Sequence, residues 1–334
     1  MAILATQRVL THDYWKLAKD LVPGDYVFDR HGKPVRVTLV QPIQAQACYE
    51  VTFNDYLTIS GDERLALPLE DRRYRYRSDA RKGLNAFRRP LKVKSIAQLL
   101  EEPLVDQRSR KKYSVPTASP IQLPYQDLPV PPFVFGFWFF ARQYDGTMVA
   151  SKGNGDFVRE KFKDFGYAPR NRALKPSGER KFSCQPTVSS HLVPNIPVYI
   201  PENYLLSQQN QRFELLQGIL CTTVAKYHEK TKTYRIVQRS KRLIYAIQYL
   251  ADSLGCKTEM RQSDLSGQFI LHIKTKQQLL PTQQPSLPTK QHPKHTARRF
   301  VKEITSIRAQ QCIHIETNSQ DQTILVGEGF IACH

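Results

Sequence analysis

The stretch Asp20-Leu21-Val22-Pro23-Gly24-Asp25-Tyr26-Val27 decides how the chain is read. Pro23-Gly24-Asp25 is a turn signal, and Tyr26-Val27 opens an apolar run directly after it. Further turn signals stand at His31-Gly32-Lys33 and Asn54-Asp55. Between them, residues 34–40 and 48–53 alternate or are rich in branched side chains, the pattern of short strands. Residues 2–68 are therefore expected to be all-β. Residues 299–334 have the same character, with a turn at Gly327-Glu328-Gly329.

The middle of the chain differs. Residues 133–140 form a dense apolar and aromatic run that suits a buried helix. Residues 213–220 begin a second apolar helix, and residues 241–254 form an amphipathic helix stopped by Gly255. Residues 96–102 suit a short helix, and residues 231–238 and 267–274 read as strands. Residues 113–132 are proline-rich and are expected to be a linker. Residues 277–294, rich in Gln and Pro, are expected to be a second. β-Rich ends thus enclose a mixed α/β middle, the layout of one domain inserted into another. The expected boundaries are 2–110, 113–290 and 299–334.

Composition narrows the partners. The chain has 334 residues, 40% of them hydrophobic, enough for packed cores in more than one domain. Its formal net charge of +19 is most simply matched by a polyanion, and nucleic acid is the commonest. Arg72, Arg73, Arg75 and Arg77 are interleaved with Tyr74 and Tyr76. Arg170 and Arg172 lie in a second basic segment, and Lys226, Lys230, Arg235, Arg239, Lys241 and Arg242 crowd a third. Strand-borne Lys and Arg contact phosphates or base edges in a groove, so double-stranded DNA is the expected partner; the plain alternative is a solvated basic face. No run of about 18 apolar residues exists, so no membrane span is expected. The opening MAILATQRVLTHDYW lacks the pattern of a signal peptide. The six cysteines are scattered without a CxxC pair, which argues against a zinc site or disulfide framework and for a reducing, intracellular setting. A monomer without resident cofactor or metal is expected.

The two ends resemble an intein. Thr6-Gln7-Arg8-Val9-Leu10-Thr11 followed by Asp20–Val27 is similar to the opening of Hint self-splicing domains. Cys48-Tyr49-Glu50-Val51-Thr52-Phe53 followed by Ile59-Ser60-Gly61-Asp62-Glu63-Arg64-Leu65 resembles the strand and catalytic turn after it. Gln311-Cys312-Ile313-His314-Ile315, then Val326-Gly327-Glu328-Gly329-Phe330-Ile331-Ala332-Cys333-His334, resembles the C-terminal motif, which normally ends His-Asn. The resemblance implies an all-β, horseshoe-like Hint domain built from both ends. The middle resembles LAGLIDADG homing endonucleases of the DOD type. Phe133-Val134-Phe135-Gly136-Phe137-Trp138 matches the first motif helix, and Arg212-Phe213-Glu214-Leu215-Leu216-Gln217-Gly218-Ile219-Leu220 the second. It implies an inserted α/β domain, in a subgroup similar to inteins of phage packaging ATPases and helicases. Such a host protein would be the partner at the splice junctions.

Splicing is acyl transfer: a nucleophile attacks a peptide carbonyl, and a held donor stabilises the oxyanion. Most inteins start with Cys or Ser; the aligned first residue here is Ala2. A minority class starts without a nucleophile and uses a Cys at the position matched by Cys312, so Cys312 is the expected acyl acceptor. Its alternative is a small buried core residue. The catalytic turn Thr-x-x-His is replaced by Ser60-Gly61-Asp62-Glu63, and a carboxylate at Glu63 accepts hydrogen bonds without donating them. The class's Trp is Leu65 here, and its C-terminal Thr is Cys333. His334 matches the penultimate His; no Asn follows, so either the true terminus was trimmed or this form cannot release its C-terminal partner. In the middle domain the metal-binding acids are replaced by Ala141 and Thr223, with Asp145 as a displaced candidate. The resemblance therefore implies self-splicing more than DNA cleavage, and magnesium has a role only where cleavage survives. Two alternatives stay open: an active homing endonuclease, and a stand-alone DNA-binding relic without catalysis.

Overall fold

A computed structural model of the chain describes residues 1–72, 91–192, 198–264, 266–275, 278–280 and 298–334. It divides into two compact units, Met1–Ile121 with Thr296–His334, and Gln122–His295. Arg73, Arg75 and Arg77 of the first basic stretch, and most of the second expected linker, fall outside the described residues.

The first unit starts with β1 (Ala2–Leu4), β2 (Arg8–Thr11), β3 (Tyr14–Leu17), β4 (Tyr26–Phe28), β5 (Pro34–Gln44), β6 (Cys48–Phe53) and β7 (Thr58–Gly61). Then follow β8 (Ala66–Asp71), β9 (Lys92–Ser95), the short helix α1 (Ile96–Leu100) and β10 (Tyr113–Pro116). The Pro23-Gly24-Asp25 turn works as its residues require. Gly24 adopts φ +105°, and the Asp25 carboxylate accepts the Val22 N–H at 3.0 Å and pairs with Lys16 at 2.7 Å. α1 is closed at its start by a reciprocal cap between Ser95 and Gln98.

Residues 113–121 differ from the expectation. They belong to the first unit and do not open the middle domain, because Tyr113–Pro116 pairs with Glu70 and Asp71 of β8 on one side. On its other side β10 pairs with residues 298–300 of the returning chain. The prolines that suggested a linker lie at the strand's end and after it, where no ladder N–H is needed.

The second unit is built on two helices, α2 (Pro132–Ala141) and α5 (Gln209–Leu220). Between them lie β11 (Met148–Ala150), α3 (Gly155–Asp164), β12 (Ala168–Leu174), β13 (Arg180–Gln185) and the single turn α4 (Glu202–Leu205). After them come β14 (Ala225–His228), β15 (Thr233–Gln238), α6 (Lys241–Ser253), β16 (Lys257–Gln262) and β17 (Phe269–Lys274). Their sheets run β11-β13-β12 and β14-β15-β17-β16, antiparallel throughout.

α2 and α5 touch backbone to backbone. A Cβ on Gly136 would stand 2.5 Å from the Leu215 carbonyl oxygen, and one on Gly218 would stand 2.8 Å from the Phe137 nitrogen. The apolar faces close around this contact, with Phe135 stacked on Tyr204 at 4.2 Å and Phe137 on Phe182 at 5.6 Å. α6 begins at Ser240, whose hydroxyl accepts the Leu243 N–H, and ends where Gly255 turns to φ +74°. Arg212 is wholly buried on α5 and donates to the Ser207 and Ser253 carbonyls, tying α5 to the end of α6.

The chain returns to the first unit in β18 (Arg298–Ile307), β19 (Gln311–Thr317), β20 (Ile324–Val326) and β21 (Ile331–Cys333). These strands are threaded among the earlier ones: the order is β21-β20-β2-β4-β5-β19-β1-β7-β6-β18-β10-β8-β9, with β3 on β2. The fold is therefore mixed: a mainly β unit made from both chain ends and an inserted α/β unit. A buried ion pair, Arg299 to Asp55 at 3.0 Å, fastens β18 to the turn after β6. Gly329 lies against it; a Cβ there would stand 2.7 Å from the Arg299 guanidinium. Among the described residues no helix is long and apolar enough to cross a membrane.

Gly218→Ala forces α2 and α5 apart and is expected to destabilise the second unit by about 1–3 kcal/mol, the usual cost of overpacking. Chemical denaturation followed by tryptophan emission reads this, since Trp138 lies on α2. An unchanged midpoint would mean that the helices are not in backbone contact.

Candidate functional site

β1 lies between β19 and β7, so the residue matched to the start of a splicing domain is inside a sheet. Ala2 faces His314, Ile3 faces Ile313 and Leu4 faces Cys312. One residue earlier, the Met1 carbonyl accepts the Ile315 N–H at 3.0 Å. This is the carbonyl of the Met1–Ala2 peptide bond, and Ile315 supplies the fixed donor that an oxyanion there needs. On the other side the Asp62 N–H donates to the Ala2 carbonyl at 3.3 Å. Gly61 permits this approach: a Cβ there would stand 2.9 Å from the Leu65 side chain and collide with the Ala2 oxygen.

Cys312 is fully buried, packed with Ala2, Leu4, Ala45 and Cys48. Burial is the first cause, and neighbouring Cys48 the second, that pushes its thiol up to about 12. Its thiolate is therefore scarcer at neutral pH than that of an ordinary cysteine. Cys333 is also fully buried, and desolvation raises its thiol well above the usual range.

Ser60 is buried in β7, and its N–H donates to the Gln7 side chain at 3.1 Å. Glu63, which occupies the position of the usual imidazole, is exposed; its backbone carbonyl receives the Ala97 N–H. The acid that turns inward is its neighbour Asp62, 3% exposed. Its carboxylate accepts the Arg64 N–H at 2.9 Å and the Arg64 Nε at 2.7 Å. It acts electrostatically on both the Met1 amine and Cys312. Asp62 was missed because the motif points to the fourth residue of Ser-Gly-Asp-Glu; the local signal was the Asp-x-Arg spacing, which closes a tight turn.

His334 exchanges two backbone hydrogen bonds with Ala66, at 2.8 and 3.1 Å. Burial first, and then the charge of the Met1 amine, lowers its imidazole below the ordinary value, so it is neutral at neutral pH. That the amine acts on His334 and Cys333 puts both ends of the chain in one neighbourhood.

No family model matches the sequence. Among curated proteins the chain is similar to the replicative DNA helicase DnaB of Mycobacterium intracellulare, 28% identical over 220 residues. The match covers 62% of this chain and 35% of the helicase, so the chain spans about a third of that relative's length. Among solved structures it is similar to the MchDnaB-1 intein: 28% identity, 20% of this chain and 53% of that one, TM-score 0.20. It is also similar to mesophilic variants of the homing endonuclease I-DmoI: 12% identity, 44% and 83% covered, TM-score 0.30.

In the inserted domain the two positions expected from the sequence to match catalytic acids hold none. Ala141 ends α2 and is buried, and Thr223, just past α5, is exposed. Asp145 is on the turn before β11, where Lys181 at 2.6 Å and the Thr147 N–H hold its carboxylate well below the usual range. Among the described residues no group of three His, Cys, Asp or Glu is placed to hold a metal ion.

The basic residues divide by placement. Lys226, Arg235, His272 and Glu259 form one row across β14-β15-β17-β16. The alternate positions Tyr234, Ile236, Leu271 and Ile273 are buried, which puts this row on the opposite, open face. Arg170 and Arg172 are exposed on β12, and Lys230 and Arg239 are exposed beside β15. Lys241 and Arg242 open α6, with Arg242 3.8 Å over the Tyr199 ring. Arg72 is apart from these, in the first unit, near Asp106 at 3.8 Å.

Magnesium is not expected to make the protein cut DNA. Incubation of supercoiled DNA with magnesium or manganese should give no strand scission; site-specific cuts lost on Asp145→Ala would overturn the assignment of Asp145 to a lysine clamp.

Proposed function

We propose that the first unit performs intein-type self-splicing, with Cys312 as the first acyl acceptor, and that the second binds double-stranded DNA without cutting it. The observation that carries the first half is the ladder of β1 on β19. It holds the Met1–Ala2 carbonyl on the Ile315 N–H and brings Cys312 into the same packed cluster as Ala2. Ala2 has no side-chain nucleophile, so acyl transfer at this bond needs a residue from elsewhere. In the proposed step the Cys312 thiolate attacks the Met1 carbonyl carbon. The C–N bond to Ala2 breaks, the amine takes up a proton, and a thioester remains on Cys312.

A thiol in a sealed apolar cluster ionises rarely and must leave its packing to attack, so the reaction is slow. His334, neutral at neutral pH, is placed to assist cyclisation of an Asn behind it, as the intein resemblance implies. The proposed host is a replicative helicase, in keeping with the curated relative. The open basic face of β14-β15-β17-β16 supports the DNA half of the reading.

A fusion with a flanking segment before Ala2 and Asn after His334 tests the first half. Cleavage at the N-terminal junction is expected to accelerate about tenfold per pH unit from pH 7 to 9, because the thiolate fraction rises at that rate below a pKa of about 12. Cys312→Ala should abolish it. A flat pH profile, or undiminished cleavage by Cys312→Ala, contradicts the assignment. For the DNA half, Lys226→Ala with Arg235→Ala should weaken binding and reduce the log–log salt slope by roughly one per phosphate contact removed. Unchanged affinity and slope would place the DNA elsewhere.

A further inference from the structure

The open face of the sheet β14-β15-β17-β16 is basic with one exception. Strand alternation puts Lys226, Arg235, Lys257, Arg261 and Lys274 on it. Glu259 of β16 is on the same face, and it is the one acid that these four strands carry. Its ladder partner on β17 is His272, so it ends the row that Lys226 begins. Burial lowers the His272 imidazole and Glu259 acts against that, which puts the two side chains in one neighbourhood. Arg261, two residues further along β16, holds the acid. Its Nε and Nη2 both donate to Glu259 Oε1, Nε at 2.9 Å, and Oε2 receives neither. The carboxylate is thus fixed while 28% of the side chain stays open to solvent.

We propose that Glu259 is a specificity-determining residue, accepting a hydrogen bond from the N4 amino group of a cytosine in the major groove of bound DNA. The proposal rests on the reading of this face as the DNA surface. That reading by itself requires only cations gripping phosphates, which select no sequence.

Charge separates Glu259 from its neighbours on the face. A carboxylate and a phosphate repel, so the acid weakens the grip of the surrounding cations on the backbone, and does so for every sequence alike. What a carboxylate does that no Lys or Arg can is accept a hydrogen bond from an amino group. The major groove offers two such groups, N4 of cytosine and N6 of adenine. Beside N6, adenine presents the acceptor N7, which repels the second carboxylate oxygen; the cytosine edge itself adds no acceptor. Cytosine is therefore the base that suits this side chain. The Arg261 fork keeps the carboxylate from swinging away and leaves Oε2 to take the bond.

The full chain is offered a library of random-sequence duplexes, and those it retains are sequenced. The parent is expected to enrich cytosine at one position by about fivefold, the low end for a good base contact. Glu259→Gln should move the preference at that position to adenine, because an amide accepts from N6 while it donates to N7. Glu259→Ala should show no preference there, keep the flanking pattern, and bind unselected duplex no more weakly than the parent. Circular dichroism establishes that each variant folds as the parent does; if Glu259→Ala does not, Glu259→Gln decides. An unchanged base pattern in the folded variants, or weaker binding to every sequence alike, would overturn the proposal and leave Glu259 as a partner for Arg261 only. A parent that retains no duplex would contradict the DNA reading itself and the proposal with it. Lys226→Ala with Arg235→Ala tests that reading separately from Glu259.

Discussion

The architecture depends on the pairing of Ala2–Leu4 with Cys312–His314, strands separated by the whole inserted unit. β1 pairs with β19 on one side and with β7 on the other, so the three residues are fixed although the strand is short. The same ladder places the Met1 carbonyl on Ile315 and brings Cys312 beside Ala2. Fold and chemistry therefore rest on the same hydrogen bonds. The Arg299–Asp55 pair guards this arrangement from the other end of the returning chain, because breaking a buried pair strands a charge at a cost of about 3–5 kcal/mol.

The two central helices of the inserted unit hold together without help from their ends. α2 and α5 are held by glycine contacts and aromatic packing, none of which involves the helix ends. Alanine at 141 and threonine at 223 therefore cost the helix pair nothing. Neither side chain offers the carboxylate oxygens that a hard divalent cation requires. The row of Lys226, Arg235 and His272 is set by strand alternation and is likewise independent of those positions.

Local patterns carried the sequence reading well where the cause is local. The Pro23-Gly24-Asp25 turn, the apolar α2 run and the Gly255 stop of α6 follow from φ preference, burial and capping within a few residues. Non-local pairing was invisible to that reading. Prolines made residues 113–116 look like a linker, but the segment is a strand because Glu70, Asp71 and residues 298–300 offer it two edges. α3 was missed because its charged sequence, Gly155–Asp164, hides an apolar stripe of Val158 and Phe162. At the site, motif order pointed to Glu63, but the turn buries Asp62 instead. The approach of Cys48 to Cys312 spans 264 residues and has no local signature.

The account turns on which atom takes up the acyl group. The most direct measurement is mass mapping of the branched intermediate, trapped by acid quench from a fusion with a short segment before Ala2. The account predicts that segment joined to Cys312 through a thioester, released by hydroxylamine at neutral pH. The same segment found on Cys333 or Ser60, or never joined to any side chain, would contradict it.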